Sequence, residues 1–193
     1  MKTSTIIRLA LVAMIVIAFS LLYLNISDGE TPKKPPKGPE PERTWGPETN
    51  GCVMSIKAEK DKVPACEKII LKIYIKNVGE TSLPIIDKDI YRDIIFDIRD
   101  EKGESVPPTR FGNKMLKSKS TFSRRGGKIE SDEEVEDTKL INLIYDMTCL
   151  GEYTITAKRS IYKRDEKGNV VKDEKGYVKV EVVSNTITVK VTN

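Results

Sequence analysis

Asp146-Met147-Thr148-Cys149-Leu150-Gly151-Glu152-Tyr153-Thr154-Ile155-Thr156-Ala157 is the stretch that decides the fold class. Thr148 to Glu152 reads as a turn that delivers the chain into a strand. Tyr153, Ile155 and Ala157 then fall on one face, and Thr154, Thr156 and Lys158 on the other. A period of two, apolar against polar, marks a half-buried antiparallel strand. The same period recurs outward from there. Val53 to Ala58 and Ile94 to Arg99 read as strands; Ile69, Leu71, Ile73 and Ile75 line one face of another; Ile187, Val189 and Val191 line the last. Pro64-Ala65-Cys66-Glu67, Asn77-Val78-Gly79-Glu80 and Asp100-Glu101-Lys102-Gly103 supply turns between them. No helix-period segment of any length follows residue 27. About seven short strands therefore predict an all-β antiparallel sandwich over residues 48–193.

Composition limits what such a domain can do. The chain has 193 residues, room for one domain plus appendages. Charged residues make up 32% and the net charge is only +4, which implies nothing specific about nucleic acid. Histidine is absent, which removes Ser-His-Asp and Cys-His catalysis and the commonest zinc ligand. Phosphate-cradling and nucleophile-elbow motifs are also missing, so neither an enzyme nor a bound cofactor is expected. Three cysteines are too few for a disulfide-rich scaffold.

The first 26 residues differ from the rest. Lys2 and Arg8 precede an apolar run, and Ile6 to Ile26 approaches the ~20 residues that span a bilayer core. The basic end should stay in the cytoplasm and send the chain outside. Residues 1–26 thus read as a single transmembrane anchor. The other reading is a cleaved signal peptide cut near Ala18-Phe19-Ser20, which would release the chain. Residues 27–47 hold six of the ten prolines, among lysines and glutamates, and predict an extended linker. Partners expected from this layout are the membrane, through the first helix, and a protein or cell-wall component.

Elsewhere the plainer readings prevail. Val106-Pro107-Pro108 reads as an edge or loop, since proline lacks a donor. Residues 109–137 read as irregular, basic first and acidic after. The basic stretch Lys114 to Lys128, with Phe111 and Phe122, has the chemistry to hold an anionic polymer or lipid headgroup; the simpler reading is a solvated loop. Glu130 to Asp137, like Asp87 and Asp89, lacks the glycine-bent spacing of a calcium loop and reads as a solvated run, so no metal site is expected. Thr138 to Tyr145 reads as a strand. A charged hairpin spans Lys163 to Tyr177, and Val178–Val183 and Thr186–Val191 close the chain. Asp-Glu-Lys-Gly occurs at Asp100, Asp165 and Asp173, each time reading as a tight turn.

The spacing Asp146-x4-Gly151-x-Tyr153 resembles the corner of an immunoglobulin-type sandwich, in which a tyrosine at the start of the sixth strand turns its hydroxyl back onto the preceding backbone. Tyr153 takes that role and Ile155 stands where antibody domains have cysteine. Ile73–Asn77, Phe96–Gly103, Leu140–Ala157 and Ser184–Val189 also resemble the strand endings of bacterial extracytoplasmic modules with this fold. The resemblance implies an immunoglobulin-like sandwich with a binding or structural role. It also implies that the turns holding Cys66 and Cys149 share one end of the domain, which suggests a Cys66–Cys149 bridge with Cys52 as the odd thiol. The Lys76-Asn77 ending and the Gly151-x-Tyr153 strand are similar as well to the BsuPI family of bacterial proteinase inhibitors, which implies inhibition as the alternative function.

Overall fold

The computed structural model describes residues 43–85, 93–117 and 127–193. These belong to one compact unit, Glu42–Asn193. The expected anchor and most of the expected linker lie outside the described residues. Among the described residues no helix is long and apolar enough to cross a membrane.

The strands are β1 (Cys52–Ala58), β2 (Lys62–Pro64), β3 (Ile70–Asn77), β4 (Leu83–Ile85), β5 (Ile94–Arg99), β6 (Gly127–Ile129), β7 (Glu134–Leu140), β8 (Gly151–Tyr162), β9 (Lys172–Asp173), β10 (Gly176–Tyr177) and β11 (Lys179–Thr192). One short helix, α1 (Arg110–Lys117), lies between β5 and β6. Seven strands join in the order β5-β8-β11-β1-β3-β7, with β2 on the side of β11. The ladder is curled rather than flat. β1, β3 and β7 pair antiparallel as one half, and β5, β8 and β11 as the other. Leaving out the short β2, β4, β6, β9 and β10, these pair as the first, second and fifth, and the third, sixth and seventh, strands of an immunoglobulin domain, with no counterpart of its fourth strand in the ladder of described residues. The chain is thus an immunoglobulin-like β module.

One core takes side chains from both halves, including Met54, Ile56, Leu71, Ile73 and Ile75 from one and Phe96, Ile98, Tyr153, Ile155, Ala157 and Val189 from the other. The seam between the halves is irregular, and two side chains repair it. β11 carries a register shift between Val183 and Thr186, where Ser184 and Asn185 sit. Ser184 Oγ accepts the amide of Ala157 in β8 at 2.9 Å. Asn185 Oδ1 accepts the Ile56 amide at 2.7 Å, and its Nδ2 donates to the Ile56 carbonyl at 3.1 Å. The bulge thus substitutes a side-chain hydroxyl and a side-chain amide for the ladder bonds that an extra residue displaces.

The structure corrects several expectations. Pairing is not antiparallel throughout: β11 runs parallel to β1 at Met54↔Ser184 and to β2 at Val63↔Val191. The two closing segments are one bulged strand, β11. The described residues of 109–137 are not irregular: α1 and β6 fall among them and β7 begins there. Thr109 caps α1 through its Oγ1, which accepts the Gly112 amide at 2.9 Å. The expected strand to Tyr145 stops at Leu140 and becomes a 3₁₀ turn, Ile141–Leu143. There Asn142 leaves the ladder: its Oδ1 accepts the Ile69 amide and its Nδ2 donates to the Glu67 carbonyl. Finally, the domain begins before residue 48. Gly46 donates to the Met54 carbonyl at 2.9 Å, and Ser55 Oγ donates to the Thr44 carbonyl at 2.6 Å.

Candidate functional site

The corner before β8 is a structural device. Tyr153 is buried, and its hydroxyl donates to the Cys149 carbonyl at 2.8 Å. Burial, with the neighbouring Cys149, Asp146 and Asp100, pushes its phenol above the ordinary tyrosine value. Gly151 has φ +141°, and a Cβ there would stand 3.1 Å from Glu101 Oε2. Tyr153 and Gly151 therefore fix the turn and leave Leu150 and Cys149 at the surface.

Cys66 and Cys149 are both exposed, free thiols, and Cys52 is a buried one. The expected Cys66–Cys149 bridge is not formed. The two turns do share one end of the domain, because Val63 and Gly151 both pair with Val191. β11 runs between them, however. Two strand spacings of about 4.8 Å put the Val63 and Gly151 backbones near 10 Å apart, wider than the roughly 4.4–6.8 Å between Cα atoms that a disulfide spans, and the cysteines lie in the turns adjoining those residues.

The opposite feature is a rigidly based hairpin, residues 163–178, which carries β9 and β10. Its base is held by Arg164, a buried arginine. Nη1 donates to the Thr81 carbonyl at 2.6 Å, to Thr81 Oγ1 at 3.0 Å and to the Ser82 carbonyl at 3.1 Å. Nη2 donates to the Asn50 carbonyl at 2.9 Å. Three turns meet on one guanidinium, whose fixed fork suits several carbonyls at once. The hairpin's own turns are set by aspartates. Asp165 Oδ1 accepts the amides of Lys167 and Asn169, and those bonds, the Asn169 amide first, hold its carboxyl below the usual value. Asp173 accepts the Lys175 amide and Asp100 the Lys102 amide in the same way. The copies at Asp100 and Asp165 are thus the same turn, each aspartate also accepting the amide four residues on, whereas the copy at Asp173 closes the two-residue loop between β9 and β10.

Above this base two tyrosines face each other. Tyr162 and Tyr177 have ring centroids 5.1 Å apart with planes tilted 53°. Lys172 Nζ lies 4.7 Å from the Tyr177 centroid and Lys179 Nζ 6.0 Å from that of Tyr162. Cross-strand register puts them there, with Tyr177 opposite Lys172 and Tyr162 opposite Lys179. Tyr177 keeps 52% of its surface in solvent. An exposed tyrosine backed by a half-buried one and framed by cations on a fixed base suits a recognition surface. The sequence places Tyr177 at the end of the charged hairpin but gives no sign of the Tyr162 contact or of Arg164; a lone arginine in a charged hairpin carries no signal of burial.

The acidic run is divided among other tasks. Glu133 Oε2 accepts the Glu130 amide at 2.8 Å, Glu134 pairs with Arg43 at 2.7 Å, and Glu136 pairs with Lys72 at 3.4 Å. No group of three metal-ligating side chains occurs among the described residues. Asp87, Asp89 and Phe122 lie outside them.

No family model matches the chain, and no curated protein does. The similarity to the BsuPI family therefore gains no support. Solved structures give loose likenesses. The CARDB domain of the PF1109 protein from Pyrococcus furiosus, in complex with di-metal ions, is 17% identical, over 81% of this chain and 98% of that one, with a TM-score of 0.37. The C-terminal domain of wzt is 12% identical, over 83% of each chain, with a TM-score of 0.43. The yjhA protein from Bacillus subtilis is 18% identical, over 70% of this chain and 92% of that one, with a TM-score of 0.31. Likeness of that degree says nothing about ligand or partner.

Proposed function

We propose that the chain is a non-catalytic binding module that works outside the cytoplasmic membrane and recognises its partner, a protein or an envelope component, through the hairpin 163–178. The observation that carries this reading is the Tyr162–Tyr177 pair, flanked by Lys172 and Lys179 and seated on the buried Arg164. Loops on a rigid β scaffold are where such domains place recognition. The apolar leader and proline-rich linker support presentation outside the membrane.

Two measurements test it. Trypsin applied to intact spheroplasts should cut within the hairpin, at the exposed Lys167 and Lys175. A hairpin that is cut only after lysis would overturn the location. Cross-linked envelope fractions should yield a partner with the full chain and lose it with Tyr177→Ser combined with Lys172→Gln. The same partner at undiminished yield from that variant would remove the hairpin from recognition.

A further inference from the structure

Charge along the chain is segregated at one place. Between Ser105 and Ile129 there are seven basic residues and no acidic one. The chain as a whole has 33 basic and 29 acidic residues, so outside this stretch 26 basic residues face 29 acidic ones. The described part of the stretch is built around α1. Arg110, Lys114 and Lys117 are all exposed and, at spacings of four and three, rise from one face of the helix. Like charges at those spacings repel. No carboxylate among the described residues pairs with any of the three, although Lys60, Lys72, Lys76, Arg99 and Lys190 each have one.

Helix stability accounts for part of this. Lys114 and Lys117 lie in the last turn, where the helix dipole favours cations. Arg110 lies in the first turn, where the dipole opposes it, and no acidic residue is there to compensate. The helix is also held firmly. Gly112 lies so close to Ile144 that a Cβ would stand 2.0 Å from its carbonyl oxygen, and Thr109 Oγ1 donates to the Leu143 carbonyl at 2.7 Å. Two large apolar side chains at this seat stay partly exposed: Phe111, on the helix, by 41%, and Leu143, whose carbonyl takes the Thr109 bond, by 37%.

We propose that the outer face of α1 docks on an anionic lipid bilayer, with Arg110, Lys114 and Lys117 at the phosphates and Phe111 and Leu143 at the acyl boundary. Cations matched to a negative surface supply the attraction, and exposed apolar groups beside them favour a lipid interface over a soluble polyanion. The surface goes beyond the recognition hairpin and does not require the leader to be retained.

The test uses the full chain with phosphatidylcholine bilayers, with or without about one third phosphatidylglycerol. Where the leader inserts, the chain is placed in nanodiscs and amide exchange of residues 110–117 is followed. Where the leader is cleaved or does not insert, which bears only on anchoring, cosedimentation with vesicles of the same two compositions is read. Slower exchange, or tighter partitioning, should appear only with phosphatidylglycerol and fade as salt is raised. Arg110→Gln with Lys114→Gln and Lys117→Gln should weaken partitioning by roughly two orders of magnitude, at about fivefold per cation. Lys57→Gln with Lys62→Gln and Lys68→Gln removes the same charge from exposed positions elsewhere and should change it little. Phe111→Ser should lower affinity without changing the salt dependence. Equal binding to both compositions would overturn the proposal, as would equal loss in the two triple variants. Binding to soluble polyphosphate but not to the acidic vesicles would overturn it in favour of a polymer site.

Discussion

Tyr153 shows how much one hydroxyl can fix. Its bond to the Cys149 carbonyl ties the turn to the strand, and Tyr153→Phe keeps the ring while removing that bond. The expected cost is about 1 kcal/mol, read from the urea midpoint at constant slope. Gly151→Ala should cost about as much or more, because φ +141° is strained for any Cβ and Glu101 must also move. Cys52 makes a different prediction. Burial, only partly offset by Arg159 and Arg164, raises its thiol from 9.0 to about 11. A raised folded value means that the unfolded chain loses its proton first. Stability is therefore complete below pH 9 and falls as the pH climbs towards 11, by about 2–3 kcal/mol in all. Cys52→Ala creates a small cavity but should flatten the stability–pH curve over that window. An unchanged slope between pH 9 and 11 would show that the thiol does not carry it.

Elements were legible where they obey a period and illegible where side chains replace backbone pairing. β5 and β8 bury alternate residues as expected, β3 does so except at Tyr74, and each is readable from the sequence to within a residue or two. α1 was not, because two turns containing Gly112 and Asn113 show too little periodicity; the Thr109 cap after two prolines was the available signal. The bulge of β11 was read as a gap between two strands, since Ser184 and Asn185 look like turn residues. The hairpin's turns were visible and its anchor was not. Two asparagines test this account. Asn77 is fully buried; its Nδ2 donates to the carbonyls of Thr81 and Ile129, and its Oδ1 accepts the Gly79 amide. Asn185 holds both backbone groups of Ile56. Asn77→Ala and Asn185→Ala each strand buried backbone partners, so each should cost about 2–4 kcal/mol and lower Tm by roughly 5–12 °C. Arg164→Lys should behave differently. A single ammonium cannot reach three turns, so amide exchange should quicken over residues 164–178 with less change in global stability.

At the scale of the molecule, the edge of the folded unit is set by chemistry that composition hides. Arg43 and Trp45 sit in a proline-rich stretch, and by composition that stretch reads as linker through Pro47. In the structure the Arg43 guanidinium lies 3.6 Å from the Tyr74 centroid and 5.3 Å from that of Trp45, and it pairs with Glu134 at 2.7 Å. Neither of these two charged side chains is more than 19% exposed, so the pair is better shielded than the surface pairs elsewhere. Thr44 and Gly46 add the two backbone-directed bonds to Ser55 and Met54. These residues cover the outer face of β1 and of Tyr74, which would otherwise be wet. A fragment of residues 48–193 loses all of this at once. The groups left behind return to water, so each lost hydrogen bond costs only its net value, near 1 kcal/mol, and the cation–π contact about 1 kcal/mol more. The shorter fragment should therefore be less stable than residues 43–193 by roughly 3 kcal/mol, a large share of the ~5–15 kcal/mol typical of a domain. Because only five residues differ, the denaturant slope should hardly change and the midpoint should move. Arg43→Ala in the longer fragment should reproduce about a third of that shift. Equal midpoints for the two fragments would mean that residues 43–47 lie on the sandwich without stabilising it, and that the fold begins at Glu48 after all.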